Sequence, residues 1–192
     1  MVKDAPPFSS VIPKFQKIIG DYQDKYLVAH NNFYDMKVLE NHGIDTKDHK
    51  WLCTWRLAKK LFNGVDEIQE TNLPYLRFAL KLDVPITMRC HRAGNDSYMT
   101  GKLLEVLVVL MEDMGLIDPS KDYGDQIYNY LKAPIIYDKM PFGKHKGELM
   151  TNVPLSYWQW AIKNMDTLRE DAENFDNDLY QSILVCLENQ KA

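Results

Sequence analysis

Long apolar runs are scarce in this 192-residue sequence. The longest, Val106 to Met111, covers six residues, where a bilayer-spanning helix needs about 20. No membrane-spanning helix, and no membrane partner, is expected. The opening residues Met1-Val2-Lys3-Asp4-Ala5-Pro6-Pro7 lack the apolar core of a signal peptide. Cysteine is equally sparse. Cys53, Cys90 and Cys186 are odd in number and lie far apart, which speaks against a disulfide framework or a clustered zinc site and suits a cytoplasmic protein. Positive charge is not in excess either: 23 Lys+Arg stand against 27 Asp+Glu, a net charge of −4. Any polyanionic partner would need metal ions or a local basic patch to offset its phosphates. What is present is ordinary for a globular chain, 45% hydrophobic and 26% charged, so disorder and low complexity are not the main feature.

Short apolar runs alternate with helical patterns. Pro13 to Ile19 reads as a short helix closed by Gly20, with Ile12, Phe15, Ile18 and Ile19 on one side. Tyr26 to Ala29 and Trp51 to Thr54 suit buried strands. Helical patterns follow at Tyr34 to Asn41, Trp55 to Phe62, Leu73 to Leu82 and Ser97 to Met114, the last rich in Leu and Val on more than one side. This alternation predicts an α/β layered domain. Residues 119–136, with Asp118-Pro119, Gly124 and Ala133-Pro134, read as a linker holding at most one helical turn. From Tyr137 a separate small α+β module is expected, with a hairpin turn at Phe142 to Gly147 and helices at Tyr157 to Asn164 and Asp178 to Asn189.

Two segments stand out chemically. Val28-Ala29-His30-Asn31-Asn32-Phe33-Tyr34-Asp35 runs off a strand into a helix, and His91-Arg92-Ala93-Gly94-Asn95-Asp96 enters the longest helix. Carboxylates so placed can converge at one sheet edge, where hard cations such as Mg²⁺ take oxygen ligands and a nearby histidine can accept a proton from water. Each residue alone also has a plainer role. His30-Asn31 can form a turn, Asp96 can face a helix N-terminus, and His91 can be a loop side chain.

Taken in order, the motifs His30-Asn31-x-x-Tyr34-Asp35, Cys53-Thr54-Trp55-Arg56-Leu57-Ala58, Asn72-Leu73 and His91-x-Ala93-x-x-Asp96 resemble the DEDDh (DnaQ-like) exonuclease family. The tail resembles that of its exodeoxyribonuclease X-like members, in Phe142-Gly143-Lys144-His145-Lys146-Gly147 and Tyr157-Trp158-Gln159-Trp160. The resemblance implies a ribonuclease H-like α/β fold over residues 1–118 and 3′–5′ removal of nucleotides from DNA ends with two Mg²⁺ (or Mn²⁺) ions. It also implies a role in repair or recombination. By the same resemblance Asp35 and Asp96 are metal ligands and His91 is the general base. His30 and Asn31 hold the turn and the 3′ end. Leu57, Leu73, Leu76 and Leu80 are read as core.

The family pattern also has a D-x-E motif on a first strand, where a period of two puts both carboxylates on one face. The only D-x-E here is Asp171-Ala172-Glu173, in an acidic stretch read as a solvated face. The expectation is therefore a fold lacking its first strands, an N-terminally truncated nuclease domain. A truncated reading frame, one half of a split enzyme and a degenerate relative kept for binding each account for this, and intact Asp35, His91 and Asp96 favour the first. With two of four carboxylates, the chain alone should cleave weakly or not at all. The exposed sheet edge should be covered by the missing N-terminal fragment or by a second copy.

In the tail, Lys139, Lys144, His145 and Lys146 lie near Tyr137, Phe142, Tyr157, Trp158 and Trp160. Lys144 and Lys146 are expected to contact DNA phosphates, with stacking by the aromatics; a solvated basic tip over a small aromatic core is the alternative. Tyr137 to Ala192 is acidic overall, 6 Lys+Arg against 9 Asp+Glu, so any DNA contact there must be local. Two functions stand open: a metal-dependent 3′–5′ exodeoxyribonuclease, or a non-catalytic DNA-end-binding or protein-interaction remnant of one.

Overall fold

The computed structural model describes residues 6–20, 25–46 and 48–189. They form two compact units, one of residues 6–58 and 70–131, the other of residues 59–69 and 132–189.

The first unit begins with helix α1 (Phe8–Gly20), longer than the sequence predicts, with Pro13 inside it. An internal proline costs about 3 kcal/mol. Phe8, Ile12, Phe15 and Ile19 fall on one face, however, and pack with Leu27, Leu39, Ile44 and Trp51, so burial offsets that cost. Strand β1 (Tyr26–Ala29), helix α2 (Asn32–Asn41) and strand β2 (Lys50–Cys53) form a parallel βαβ unit. The register pairs Ala29 with Cys53. Among the described residues β1 has one strand partner. Val28 is 40% exposed, and an apolar groove of about 280 Å³ lies beside the strand, lined by Phe8, Phe15, Val38 and Trp51 among others.

Helix α3 (Thr54–Leu61) follows β2 directly. Helices α4 (Leu73–Ala79) and α5 (Ala93–Asp113) pack on each other. In α5 the fully buried residues Met99, Leu103, Leu107 and Met111 form one stripe, and Val109 opposite is exposed. The helix is thus buried along one face rather than all round. Leu57, Leu73 and Leu76 are core, while Leu80 is half-buried.

Helix α6 (Tyr123–Lys132) occupies ten residues of the stretch read as a linker. Its signal was hidden because Gly124 sits in the first turn. That glycine has a steric reason: a Cβ there would stand 2.0 Å from the Tyr26 ring. Asp122 caps the helix by accepting from the Asp125 amide at 2.8 Å, and Ile127 and Leu131, four apart, are buried.

The second unit is mainly helical, with α7 (Leu155–Asn164), α8 (Asn177–Asn189) and two short 3₁₀ turns. The strands expected of an α+β module reduce, among the described residues, to one antiparallel bridge, Lys139 with Leu149. The loop between is closed by Gly147 N to Met140 O and Met140 N to Glu148 O, each 2.8 Å. The segment is too short for a two-stranded ladder, because Gly143 and Gly147, at φ 75° and 84°, turn the chain twice within five residues. The core holds Tyr137, Met140, Met150, Trp158, Leu179 and Ile183. Two buried polar side chains on α8 pin the incoming chain. Asp178 accepts from the Ile135 amide and Ser182 Oγ from the Tyr137 amide, both at 2.9 Å. Unpaired, these amides would each cost about 1–3 kcal/mol. No helix among the described residues is long and apolar enough to cross a membrane.

Candidate functional site

In a parallel pair, the residues that follow each strand leave the sheet at the same edge, where open α/β sheets form crevices. Here those residues are His30 and Thr54. His30 Nδ1 lies 3.0 Å from Thr54 Oγ1, and the Thr54 hydroxyl also donates to the Ala29 carbonyl at 3.4 Å. Thr54 is fully buried, so this contact ties the first motif to the second. His30 is mostly buried and its Nε2 makes no hydrogen bond of good geometry. Burial pushes its pKa down to about 4, the Thr71 backbone opposing part of that drop.

That depression has a testable sign. The folded state keeps His30 neutral, whereas the unfolded chain binds a proton below about pH 6.5. Acidification between about 6.5 and 4 therefore favours unfolding, by on the order of 2–3 kcal/mol over that window. Urea midpoints at pH 7 and pH 5 should separate less in His30→Asn than in the parent. Asp35 acts in the opposite direction, since burial raises its carboxyl pKa, so only the difference between the two proteins isolates His30. An equal separation in both would dismiss this account.

Asn31 precedes α2 at φ 68° and ψ 59°, left-handed, and its side chain makes no capping bond. His91 is also left-handed, at φ 62°. Asn and His tolerate this region better than most residues. Of three non-glycine residues at positive φ among those described, these two line one cleft. Asp96 sits in the first turn of α5 and accepts from the His91 backbone amide at 3.2 Å, which ties the His91 turn to the start of the helix. Asn95 Nδ2 donates to the Arg89 carbonyl at 2.8 Å. The loop before it is held by buried Arg77, whose guanidinium donates to the Met88 and Pro85 carbonyls at 2.5 and 2.7 Å.

The cleft, about 670 Å³, is lined by His30, Asn31, Tyr34, Asp35, His91 and Asp96 together with Asn72, Cys90 and Thr100. Asn72 caps α4 by accepting from the Tyr75 amide at 2.9 Å. The imidazole of His91 is exposed and has no hydrogen-bond partner among the described residues. Lys144 and Lys146 do not line this cleft; both lie on the turn in the second unit. Arg77 was missed by sequence reasoning, and nothing in a lone arginine on a short amphipathic helix signals two loop carbonyls.

Asp35 and Asp96 are the two carboxylates lining the cleft. Among the described residues no group of three or more His, Cys, Asp or Glu is placed to hold a metal ion. The two-ion complement therefore does not fit these residues by themselves, because hard divalent ions need more oxygen ligands than two side chains supply.

Compared with known families, residues 1–104 match the family model described as Exonuclease, which takes in the whole cleft and more than half of the chain. The chain belongs to this exonuclease family. Membership implies a ribonuclease H-like α/β fold and nucleic-acid-hydrolysing exonuclease chemistry, and domains of the family generally use divalent metal ions. Residues 129–165 of the exonuclease-family chain match a second model, described as "Putative quorum-sensing-regulated virulence factor". Among curated proteins, the chain is similar to the PolC-type DNA polymerase III of Bacillus cereus (strain ATCC 14579), 32% identical over 131 residues. That match covers 66% of this chain but spans 8% of the polymerase. No solved structure matches.

Proposed function

We propose that the first unit is the cleft-bearing part of a 3′–5′ exodeoxyribonuclease of the exodeoxyribonuclease X-like kind. It becomes competent when a strand carrying the D-x-E carboxylates pairs along the free edge of β1. The observation that carries this reading is the convergence of His30, Asn31, Asp35, His91 and Asp96 on one cleft at the carboxyl ends of parallel strands. The choice of DNA follows the similarity to a DNA polymerase. Val28, 40% exposed on a strand with one described partner, supports cover on that edge.

The chain's own groups have definite parts. Asn31, with its side chain free of the helix cap, offers an amide to the terminal sugar or phosphate. His91 accepts the proton as water adds to phosphorus and the bond to the 3′ oxygen breaks, that oxygen taking a proton from solvent to become the new 3′ hydroxyl as a 5′-mononucleotide is released. Neutral His30 fixes the turn from which Asn31 and Asp35 project. Two carboxylates by themselves do not complete a metal site. That shortage also suits the second reading, a chain that holds a DNA end without cutting it.

The test is a ladder assay on 5′-labelled single-stranded DNA with Mg²⁺ or Mn²⁺. The chain alone should leave the substrate intact. Fused behind a two-stranded segment bearing D-x-E, it should trim from the 3′ end, and His91→Ala or Asp96→Asn should abolish that trimming. Trimming by the unfused chain that is lost in Asp96→Ala would overturn the need for further carboxylates. A folded fusion that binds DNA but never trims would leave the end-binding reading standing. Dimerisation of the unfused chain through β1 would show a second copy taking the edge.

A further inference from the structure

We propose that the second unit carries its own binding surface for single-stranded DNA, a stacking platform of Tyr157 and Trp160 rimmed by Lys144, Lys146 and Lys163. The surface does not depend on the cleft cutting anything; only the choice of DNA over RNA rests on the function proposed above.

The aromatic residues of this unit divide into two sets. Tyr137 and Trp158 are buried in the core and cannot stack on a ligand, which removes them from the group the sequence offered. Trp160 is 52% exposed and Phe142 39%. The Trp160 ring lies 5.6 Å from that of Tyr157, tilted by 37°, and Tyr157 also meets His145 edge-on at 4.6 Å. Tyr157 is thereby held between two rings, and its half-exposed neighbour Trp160 is available to a ligand. A base has a π-face whatever its identity, so such a pair binds unpaired nucleotides with little sequence preference.

The cations divide in the same way. Five basic residues lie between Tyr137 and Asn189. Lys139 pairs with Asp66 at 2.5 Å, and Arg169 pairs with Asp166 and Asp171. Lys144, Lys146 and Lys163 are exposed and have no acidic partner among the described residues. These three are also the ones next to the rings. Lys144 stands between Gly143, whose Cβ position is 3.4 Å from the Tyr157 hydroxyl, and His145, which touches the Tyr157 ring. Lys146 follows His145, itself tethered to Glu148 at 3.0 Å. Lys163 lies one helical turn beyond Trp160 on α7. Between Tyr137 and Asn189, where acidic residues outnumber basic ones, the cations without an acidic partner are thus the three nearest the exposed aromatic pair. Phosphates beside stacked bases complement that arrangement.

The test is fluorescence anisotropy of a labelled oligo(dT) of about 16 nucleotides, within the usual site size for such surfaces, titrated with the full chain in EDTA so that hydrolysis cannot contribute. Trp160→Ala should weaken binding about ten-fold, the scale of losing one stacked base. Lys144→Glu with Lys146→Glu should weaken it further and lower the slope of log K on log salt by about one to two. Lys121→Ala, at an exposed lysine of the first unit that pairs with Asp118 away from the cleft, should leave binding unchanged. Circular dichroism of each variant establishes that the unit remains folded. Binding unaffected by Trp160→Ala and by the lysine reversals would overturn the proposal, as would absence of binding by the parent. Tighter binding of oligo(U) than of oligo(dT) would overturn the choice of DNA. A positive result here together with no trimming by the fused nuclease would separate this surface from the reading of the cleft.

Discussion

Trp158→Ala is expected to remove about 3–5 kcal/mol from the second unit, enough to unfold it under ordinary conditions. Trp158 is fully buried and stands among Met140, Met150, Leu179 and Ile183, the cluster that joins the turn segment to α7 and α8. Truncation leaves a void that these neighbours, already packed on Ala161 and Val153, can only partly fill. Trp158→Phe separates the size effect from polarity. The indole Nε1 is buried without a hydrogen-bond partner, so phenylalanine discards an unsatisfied donor while keeping most of the ring. Its loss should be well under half that of alanine. Urea unfolding followed by near-ultraviolet circular dichroism reads both. An alanine variant with an unchanged midpoint would contradict this packing.

Arg77→Ala should have the second largest effect and should reach the cleft. The guanidinium is buried and donates to two carbonyls of the 85–88 segment, which runs on to His91. Hydrogen bonds from a charged donor contribute about 1.5–3 kcal/mol each, less where the acceptor is partly exposed. A total loss of about 2–4 kcal/mol is expected. Hydrogen exchange should also quicken across residues 86–92, ahead of α5. Arg77→Lys should not restore the segment, because one ammonium cannot reproduce the fork that spans two carbonyls. If exchange in this loop matched the parent, its order would have to come from the Asn95 and Asp96 contacts alone.

Much of the fold was legible because its signals are local. The strand at Tyr26 to Ala29 is a short apolar run between polar stretches and appears with the bounds the sequence suggests. The helices after each strand begin within about two residues of expectation, the usual uncertainty of helix ends. Where local signals mislead, a distant contact decided. Pro13 reads as a helix start, yet α1 begins at Phe8 because an apolar stripe spans the proline. Gly124 reads as a linker residue, yet it lies in α6 because the Tyr26 ring leaves no room for a side chain. Phe142 to Gly147 reads as a hairpin, but the turns use up the residues a ladder would need.

The candidate site divides in the same manner. Sequence alone determined the chemistry-bearing residue types and their order, His30-Asn31, Asp35, His91 and Asp96, since these depend on spacing within single segments. It also determined that D-x-E is missing from any strand-like run. Only the tertiary structure decided that the parallel register seats His30 on Thr54, that Asp96 caps the His91 turn, and that Arg77 anchors the loop before it. It likewise decided which lysines and aromatics of the tail are exposed and unpaired. The physical reason is common to all of these. Burial, pairing and charge neutralisation depend on partners tens of residues away, and no window along the chain contains both members of such a pair.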